Sequence, residues 1–101
     1  MTNNAVSIVI PAYNEGNTIH LILDKVRDVE LMNELSKEII IVNDCSSDNT
    51  SEAVKAYQDK NKSLDIRLLE HTVNSGKGAA LHTGIAGATG KYVLIQDADL
   101  E

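Results

Sequence analysis

Ile39, Ile40, Ile41 and Val42 are four β-branched residues in a row, with no polar residue between them. β-branched side chains favour strands. A strand that is apolar at every position, rather than at every second one, is buried on both faces, as in a parallel sheet covered by helices on each side. Parallel strands need crossovers, and the rest of the chain supplies them. Residues 5–10 read as a first strand, predicted to end at Pro11, which has no N–H for a ladder. After a loop at 14–17, Asn17 or Thr18 can cap a helix in which Ile19, Ile22, Leu23, Val26 and Val29 recur at helical spacing. The second strand spans 37–42. A polar loop leads to a second helix, where Asn49 and Glu52 are spaced like a capping box and Ala53, Val54 and Tyr57 face inward.

Residues 66–70 form a short third strand. The turn at 74–78 opens a third helix, 79–88, whose small residues Ala80, Gly84 and Gly87 allow a close approach to the sheet. Gly90 is expected to stop it in the left-handed position. Tyr92, Val93, Leu94 and Ile95 then read as a buried strand that runs into alternating acids, Asp97, Asp99 and Glu101. Strand–helix alternation with right-handed crossovers predicts one α/β domain over residues 1–101, a Rossmann-like parallel sheet of order 3-2-1-4 flanked by helices. Ligands bind such sheets beyond the carboxyl ends of the strands, where the order reverses, here between strands 1 and 4. The loops at 11–15, 44–48 and 97–99 are expected to converge there. If the path stays extended past the last strand, Asp97, Asp99 and Glu101 share one side. Two like charges at ~4 Å cost about 1 kcal/mol in water and about 4 kcal/mol at an effective dielectric of 20. Such a trio is either a solvated strand end or a site for a hard divalent cation, Mg2+ or Mn2+.

The 101 residues carry a net charge of −6 and only three aromatic residues, all tyrosine. That balance argues against a nucleic-acid backbone or an anionic membrane surface as the main partner and leaves little for base stacking. A single cysteine, Cys45, rules out an intrachain disulfide and reads as an ordinary free thiol. No signal-peptide pattern opens the chain, and no apolar run approaches ~18 residues.

The turn Ser75-Gly76-Lys77-Gly78 is not a phosphate loop: His71 stands where the first glycine belongs, and Gly78 where Ser or Thr should hold magnesium. It is not a dinucleotide fingerprint either, since Leu81 occupies the third glycine position. Lys77 is then a solvated turn lysine or a cation near a diphosphate or nucleobase. Asp44, at a strand tip, can accept the N–H of a nucleobase or cap the second helix; Asp48 reads as such a cap. Tyr13 can pack on a base or ribose, or cover the sheet edge. Glu15 can accept a ribose hydroxyl or stay in solvent. His20, His71 and His82 lack metal-ligand spacing and are assigned to surfaces or helix faces.

Four segments, at 6–15, 42–50, 74–80 and 96–101, together resemble the family 2 glycosyltransferases of GT-A fold, with the nearest likeness to the dolichyl-phosphate mannosyltransferase-like branch. The resemblance runs through nearly the whole chain. It implies the N-terminal half of a GT-A fold with a UDP- or GDP-sugar site. Pro11, Ala12, Tyr13, Glu15 and Asp44 would hold the nucleoside, with Lys77 and Ala98 beside it; Asp97 would touch ribose or metal, and Asp99 and Glu101 would bind the metal. It also implies a lipid-phosphate or glycan acceptor, a cytoplasmic enzyme working at the inner face of the membrane, and a catalytic base beyond residue 101, in the remainder of a longer enzyme. Cys45 stands where the family usually has glycine, and a cysteine there predicts a negative φ.

Two rival readings carry different signatures. A sugar-1-phosphate nucleotidyltransferase would have a Gly-rich, Arg-containing loop after the first strand, which Pro11-Ala12-Tyr13-Asn14-Glu15 lacks. A receiver-like module with an acidic phosphoacceptor pocket would need a further strand after the acids. In the order 3-2-1-4, strand 4 lies at an edge and exposes a pairing surface near residues 92–97, so either pairing between chains there or disorder of the final residues is expected.

Overall fold

The computed structural model describes residues 5–28 and 36–97. Strands and helices alternate along them: β1 (Ala5–Ala12), α1 (Ile19–Asp28), β2 (Ser36–Asn43), α2 (Thr50–Lys60), β3 (Asp65–Glu70), α3 (Lys77–Gly87) and β4 (Tyr92–Ile95). The sheet order is β3-β2-β1-β4 and every pairing is parallel, as the alternation predicted.

Successive strand residues face opposite sides, and both sides are covered. Val6, Ile8 and Ile10 of β1 and Ile39 and Ile41 of β2 pack with Ile19, Ile22, Leu23 and Val26 of α1 and Val54 and Tyr57 of α2. Ile40 and Val42 face the other way, onto Ala80 of α3. The small residues of α3 are needed for that approach. A Cβ on Gly84 would stand 2.3 Å from a Val9 methyl and 3.2 Å from one of Val42. Val29, expected on α1, lies outside the described residues.

Four local expectations are corrected. Pro11 does not end β1, which pairs with β2 through Ala12. Ala5 and Val9 turn their carbonyls to the β4 side, accepting from Lys91 and Gln96. Pro11 shares that direction by alternation, so its missing N–H falls beyond the last β4 pair, Val9 with Ile95, and no ladder bond is lost. Asn49 makes no side-chain cap on α2; Asp48 replaces it, accepting the Thr50 N–H at 3.0 Å and the Thr50 hydroxyl. The chain leaves α3 through Ala88 in an extended conformation, and Gly76 is the glycine with positive φ among the described residues. Gly90 is required instead by contact: a Cβ there would lie 2.6 Å from Ser7 Oγ and 2.8 Å from the Ala5 carbonyl oxygen. Finally, β4 is not buried. Tyr92, Val93, Leu94 and Ile95 are each 40–52% exposed, because β4 is the sheet edge and no described helix covers it.

What seats β4 is a buried carboxylate at the start of β2. Glu38 Oε1 accepts from the Ser7 hydroxyl at 2.7 Å and the Thr89 N–H at 3.0 Å; Oε2 accepts from the Thr89 hydroxyl at 2.6 Å. Ser7 Oγ in turn accepts the Gly90 N–H at 2.8 Å. Arg67, 3.8 Å from Oε2, donates to the Gly87 carbonyl at 2.7 Å. The segment between α3 and β4 is thereby latched to the sheet.

Burial pushes the Glu38 carboxyl up, but the bonds from Thr89 and Ser7 and the Arg67 charge outweigh it and hold it below 4.5. The folded state therefore binds this proton more weakly than the unfolded chain. The resulting stability is full above the ordinary value and is lost as pH falls through the lower folded value. Urea denaturation at stepped pH should show stability falling below about pH 4.5. Glu38→Gln should be less stable at pH 7 and show a shallower acid slope. A slope identical to that of the parent protein would exclude Glu38 as a source of acid sensitivity.

Candidate functional site

A parallel sheet brings the carboxyl ends of its strands to one edge, so the loops leaving β1, β2 and β3 emerge side by side. Polar bonds join the first two. Asn14, at φ +54°, a left-handed conformation that asparagine tolerates, donates its N–H to Ser46 Oγ at 2.9 Å and accepts the Ser47 N–H on Oδ1 at 2.8 Å. The Glu15 N–H donates to Thr50 Oγ1 at 2.9 Å and the Gly16 N–H to Asp48 Oδ2 at 3.0 Å. The Glu15 carboxylate accepts the Thr18 hydroxyl at 2.7 Å. Asp48, as predicted, is a structural cap. The Thr50 hydroxyl, against the smaller opposing effect of burial, and then the Gly16 and Thr50 N–H groups hold its carboxyl below the usual range.

Asp44 follows β2 directly, its N–H bonded to the Ala12 carbonyl at 2.9 Å. Its buried carboxylate draws in the loop after β3. Oδ1 accepts the Ser75 N–H at 2.8 Å and Oδ2 the Gly76 N–H at 2.8 Å. Gly76, at φ +94° and ψ 163°, occupies backbone space that only glycine enters freely. His71 Nδ1 lies 2.8 Å from Asp44 Oδ1 and Nε2 2.8 Å from Thr83 Oγ1. Burial pushes Asp44 up; the Ser75, His71 and Gly76 bonds more than reverse it, so it stays ionised below the usual carboxylate range.

A cavity of about 210 Å3 opens at this edge, lined by Pro11, Ala12, Tyr13, Glu15, Asp44, Lys77, Ala80 and Asp97. Seven of the eight were singled out from the sequence; Ala80 was read only as a packing residue. Lys77, the first residue of α3, pairs with Asp97 at 2.5 Å across the rim, both side chains more than half exposed. Tyr13 is 49% exposed. Ala98, Asp99 and Glu101 lie outside the described residues, and among the described residues no three His, Cys, Asp or Glu side chains stand together as a metal set. Asp97 is thus the described member of the acidic trio, a hard oxygen donor at the cavity rim.

Two expectations fail here. Cys45 does not keep a negative φ: it sits at +57°, exposed, its Sγ donating to the Thr72 carbonyl at 3.4 Å. Asp44 is not displaced by this, because its three donors fix it independently. His71 is not a surface histidine, being 15% exposed on its side chain and bonded at both ring nitrogens. Strand register could have found it: Asn43 pairs with Glu70, so residues 44 and 71 are the next neighbours off the ladder. His20 and His82 are exposed, as expected.

Residues 7–101 match the family Glycosyl transferase family 2. A dolichyl-phosphate beta-glucosyltransferase of Dictyostelium discoideum is 41% identical over 104 residues, covering 96% of this chain and 31% of that protein. A poly-beta-1,6-N-acetyl-D-glucosamine synthase of Staphylococcus epidermidis is 39% identical over 93% of this chain and 21% of its own length. Among solved structures, a mannosyltransferase of Pyrobaculum calidifontis in complex with GDP-Man and Mn2+ superimposes with a TM-score of 0.84 at 35% identity, over 93% of this chain and 27% of that one. S. aureus TarS 1-349 in complex with UDP-GlcNAc gives 0.81 at 28% identity, over 94% and 26%. These neighbours are GT-A glycosyltransferases, and the sheet described above is the corresponding part of that fold. The chain spans a third or less of the length of these relatives.

A left-handed conformation costs a non-glycine residue about 1–2 kcal/mol, part of which glycine gives back as extra freedom in the unfolded chain. Cys45→Gly should therefore raise stability by roughly 0.5–1 kcal/mol, and Cys45→Val should lower it by at least as much. Urea midpoints of the two variants check this; a destabilised glycine variant would show that the Sγ contact with Thr72 outweighs the backbone term.

Proposed function

Since the chain belongs to glycosyl transferase family 2, we propose that it holds the donor site of an enzyme that moves a sugar from a UDP- or GDP-sugar to an acceptor oxygen, the phosphate oxygen of a polyprenyl phosphate or the hydroxyl of a glycan. The observation that carries this reading is the convergence of Pro11, Ala12, Tyr13, Glu15, Asp44, Lys77 and Asp97 on one cavity at the carboxyl ends of the strands, where open α/β sheets take nucleotides. Asp44, ionised and held from behind, accepts the N–H of the base. Tyr13 covers the base or ribose, and Glu15 accepts a ribose hydroxyl. Pro11 and Ala12 form the apolar wall, and Ala98 is assigned to the same nucleotide-sugar site. Lys77 sits within reach of the diphosphate, with Asp97 as its present counter-ion.

Asp97, Asp99 and Glu101 would hold Mg2+ or Mn2+, whose chemistry there is to neutralise charge on the departing diphosphate; the oxygen donors suit a hard cation. The chain's own part is to bind the nucleoside, orient the diphosphate and keep Lys77 beside it. The reaction we assign is a single inverting displacement, with the acceptor hydroxyl deprotonated by a base from sequence beyond Glu101, so residues 1–101 alone should not turn over. No described helix is long and apolar enough to cross a membrane; the place of work we assign is the cytoplasmic face.

Calorimetric titration of the complete protein with UDP- and GDP-sugars in Mn2+ should show binding of at least one donor. Asp99→Ala should weaken it at least about tenfold and remove the metal dependence, as loss of a charged ligand does. No binding, or binding unchanged in Asp99→Ala, would defeat the reading.

The β4 edge is also assigned a partner, a second copy of the segment. Tyr92 and Leu94 share the side of Val6 and Ile8, and Val93 and Ile95 the side of Ser7 and Val9; all four β4 residues are exposed on an open edge. Sedimentation of the 101-residue segment should show mass rising with concentration, and Leu94→Lys should abolish the rise. A monomer at every concentration would refute the pairing.

A further inference from the structure

The sequence of β4 does not set its own register. Tyr92, Val93, Leu94 and Ile95 are large and hydrophobic at every position, so no alternation of polar and apolar residues marks one pairing as right. The bonds of a parallel ladder are evenly spaced, and a slip of two residues along β1 would re-form them. That slip moves the end of the strand by about 6–7 Å; a slip of one turns each side chain to the opposite face. Asp97 lies two residues past the last pair, Val9 with Ile95, and either slip would take it from the cavity rim it lines. Its ion pair with Lys77 is more than half exposed on both side chains, and exposed pairs hold little by themselves.

The register is fixed at the other end, just before β4. Gly90 lies so close to β1 that a Cβ there would stand 2.6 Å from Ser7 Oγ and 2.8 Å from both the Ala5 carbonyl oxygen and the Ser7 nitrogen. A slip by two residues would bring Ala88 or Tyr92 to that place, and a slip by one Thr89 or Lys91; each carries a Cβ that does not fit. Hydrogen bonds then hold the glycine in its seat. The Gly90 N–H donates to Ser7 Oγ at 2.8 Å. Thr89 gives its N–H and its hydroxyl to the Glu38 carboxylate at 3.0 and 2.6 Å, and the fully buried Ser7 hydroxyl donates to the same carboxylate at 2.7 Å.

We propose, on the reading of Asp97, Asp99 and Glu101 as metal ligands given above, that Glu38, Ser7 and Thr89 are positioning residues for that site. They clamp Gly90 against β1, fix the register of β4, and so set where the acidic segment after it begins. None of the three lines the cavity; they act through the strand. Asp44 has its own donors, Ser75, Gly76 and His71, so loosening the clamp should cost the metal and spare the nucleoside.

The test is two titrations on the complete protein: Mn2+ followed by electron paramagnetic resonance at saturating UDP or GDP, and UMP or GMP in the presence of a chelator. Thr89→Val, nearly equal in volume, removes the hydroxyl bond to Glu38 and should weaken Mn2+ by at least about fivefold, the worth of a hydrogen bond to a buried carboxylate. Nucleoside monophosphate affinity should stay within about twofold. Thr89→Ser keeps the hydroxyl and should restore the metal. Gly90→Ala should weaken Mn2+ further, and Thr89→Val keeps the test available if that variant fails to fold. A clamp that merely supported the fold would lower the urea midpoint and move both affinities together, or neither; either result overturns the proposal. Mn2+ binding that Asp99→Ala leaves unchanged removes the metal reading and this proposal with it. Binding that Asp99→Ala weakens and Thr89→Val does not removes this proposal alone.

Discussion

A carboxylate taken out of water must be compensated by donors, and at Asp44 that requirement organises the whole carboxyl edge of the sheet. Desolvation alone would push its proton affinity up, yet the net shift is downward because the Ser75 and Gly76 N–H groups and the His71 ring converge on it. Those donors belong to the β3–α3 connection. Without them the start of α3 would have no reason to lie over β2, Lys77 would not reach Asp97, and the cavity would lose one wall. The turn that aims the Ser75 and Gly76 N–H groups at this one carboxylate passes through Gly76 at φ +94°, a region that other residues enter only at a cost.

Much of this architecture was legible because the signals were local and redundant. Four β-branched residues in a row, helical spacing at Ile19, Ile22, Leu23 and Val26, and small residues on α3 each state a preference that packing then reinforces. Parallel order follows from alternation, and the switch point follows from order. The cavity residues were readable for the same reason, since a strand tip in such a sheet has one place to go.

The corrections all arise where a residue's role is set by a neighbour distant in sequence. Pro11 stays in β1 because of where β4 stops, which no window around residue 11 reveals. Gly90 is a glycine because Ser7 and the Ala5 carbonyl lie against it, not because a helix needs a left-handed end. Cys45 accepts a strained φ because the loops on either side are already pinned, at Asn14 by Ser46 and at Asp44 by its donors. His71 looked unattached because its partners, Asp44 and Thr83, are 27 and 12 residues away. The apolar run of β4 did indicate a strand, but burial depends on what is laid over it, and strand composition cannot supply that.

Glu38 and Asp44 make an instructive pair. They lie at opposite ends of β2, both are buried, and donors from the β3–α3–β4 part of the chain act on both. Around Glu38, the Ser7 hydroxyl, the Thr89 N–H and the Thr89 hydroxyl are joined by the Arg67 guanidinium, so both oxygens are engaged. That carboxylate is a fastener. Around Asp44 the donors are mostly backbone N–H groups, which are fixed in direction, and the residue they hold lines the cavity. The same carboxylate group thus fastens the sheet near the start of β2 and, just past its end, lines a cavity. The difference lies in the number and rigidity of the donors that the topology delivers to each end.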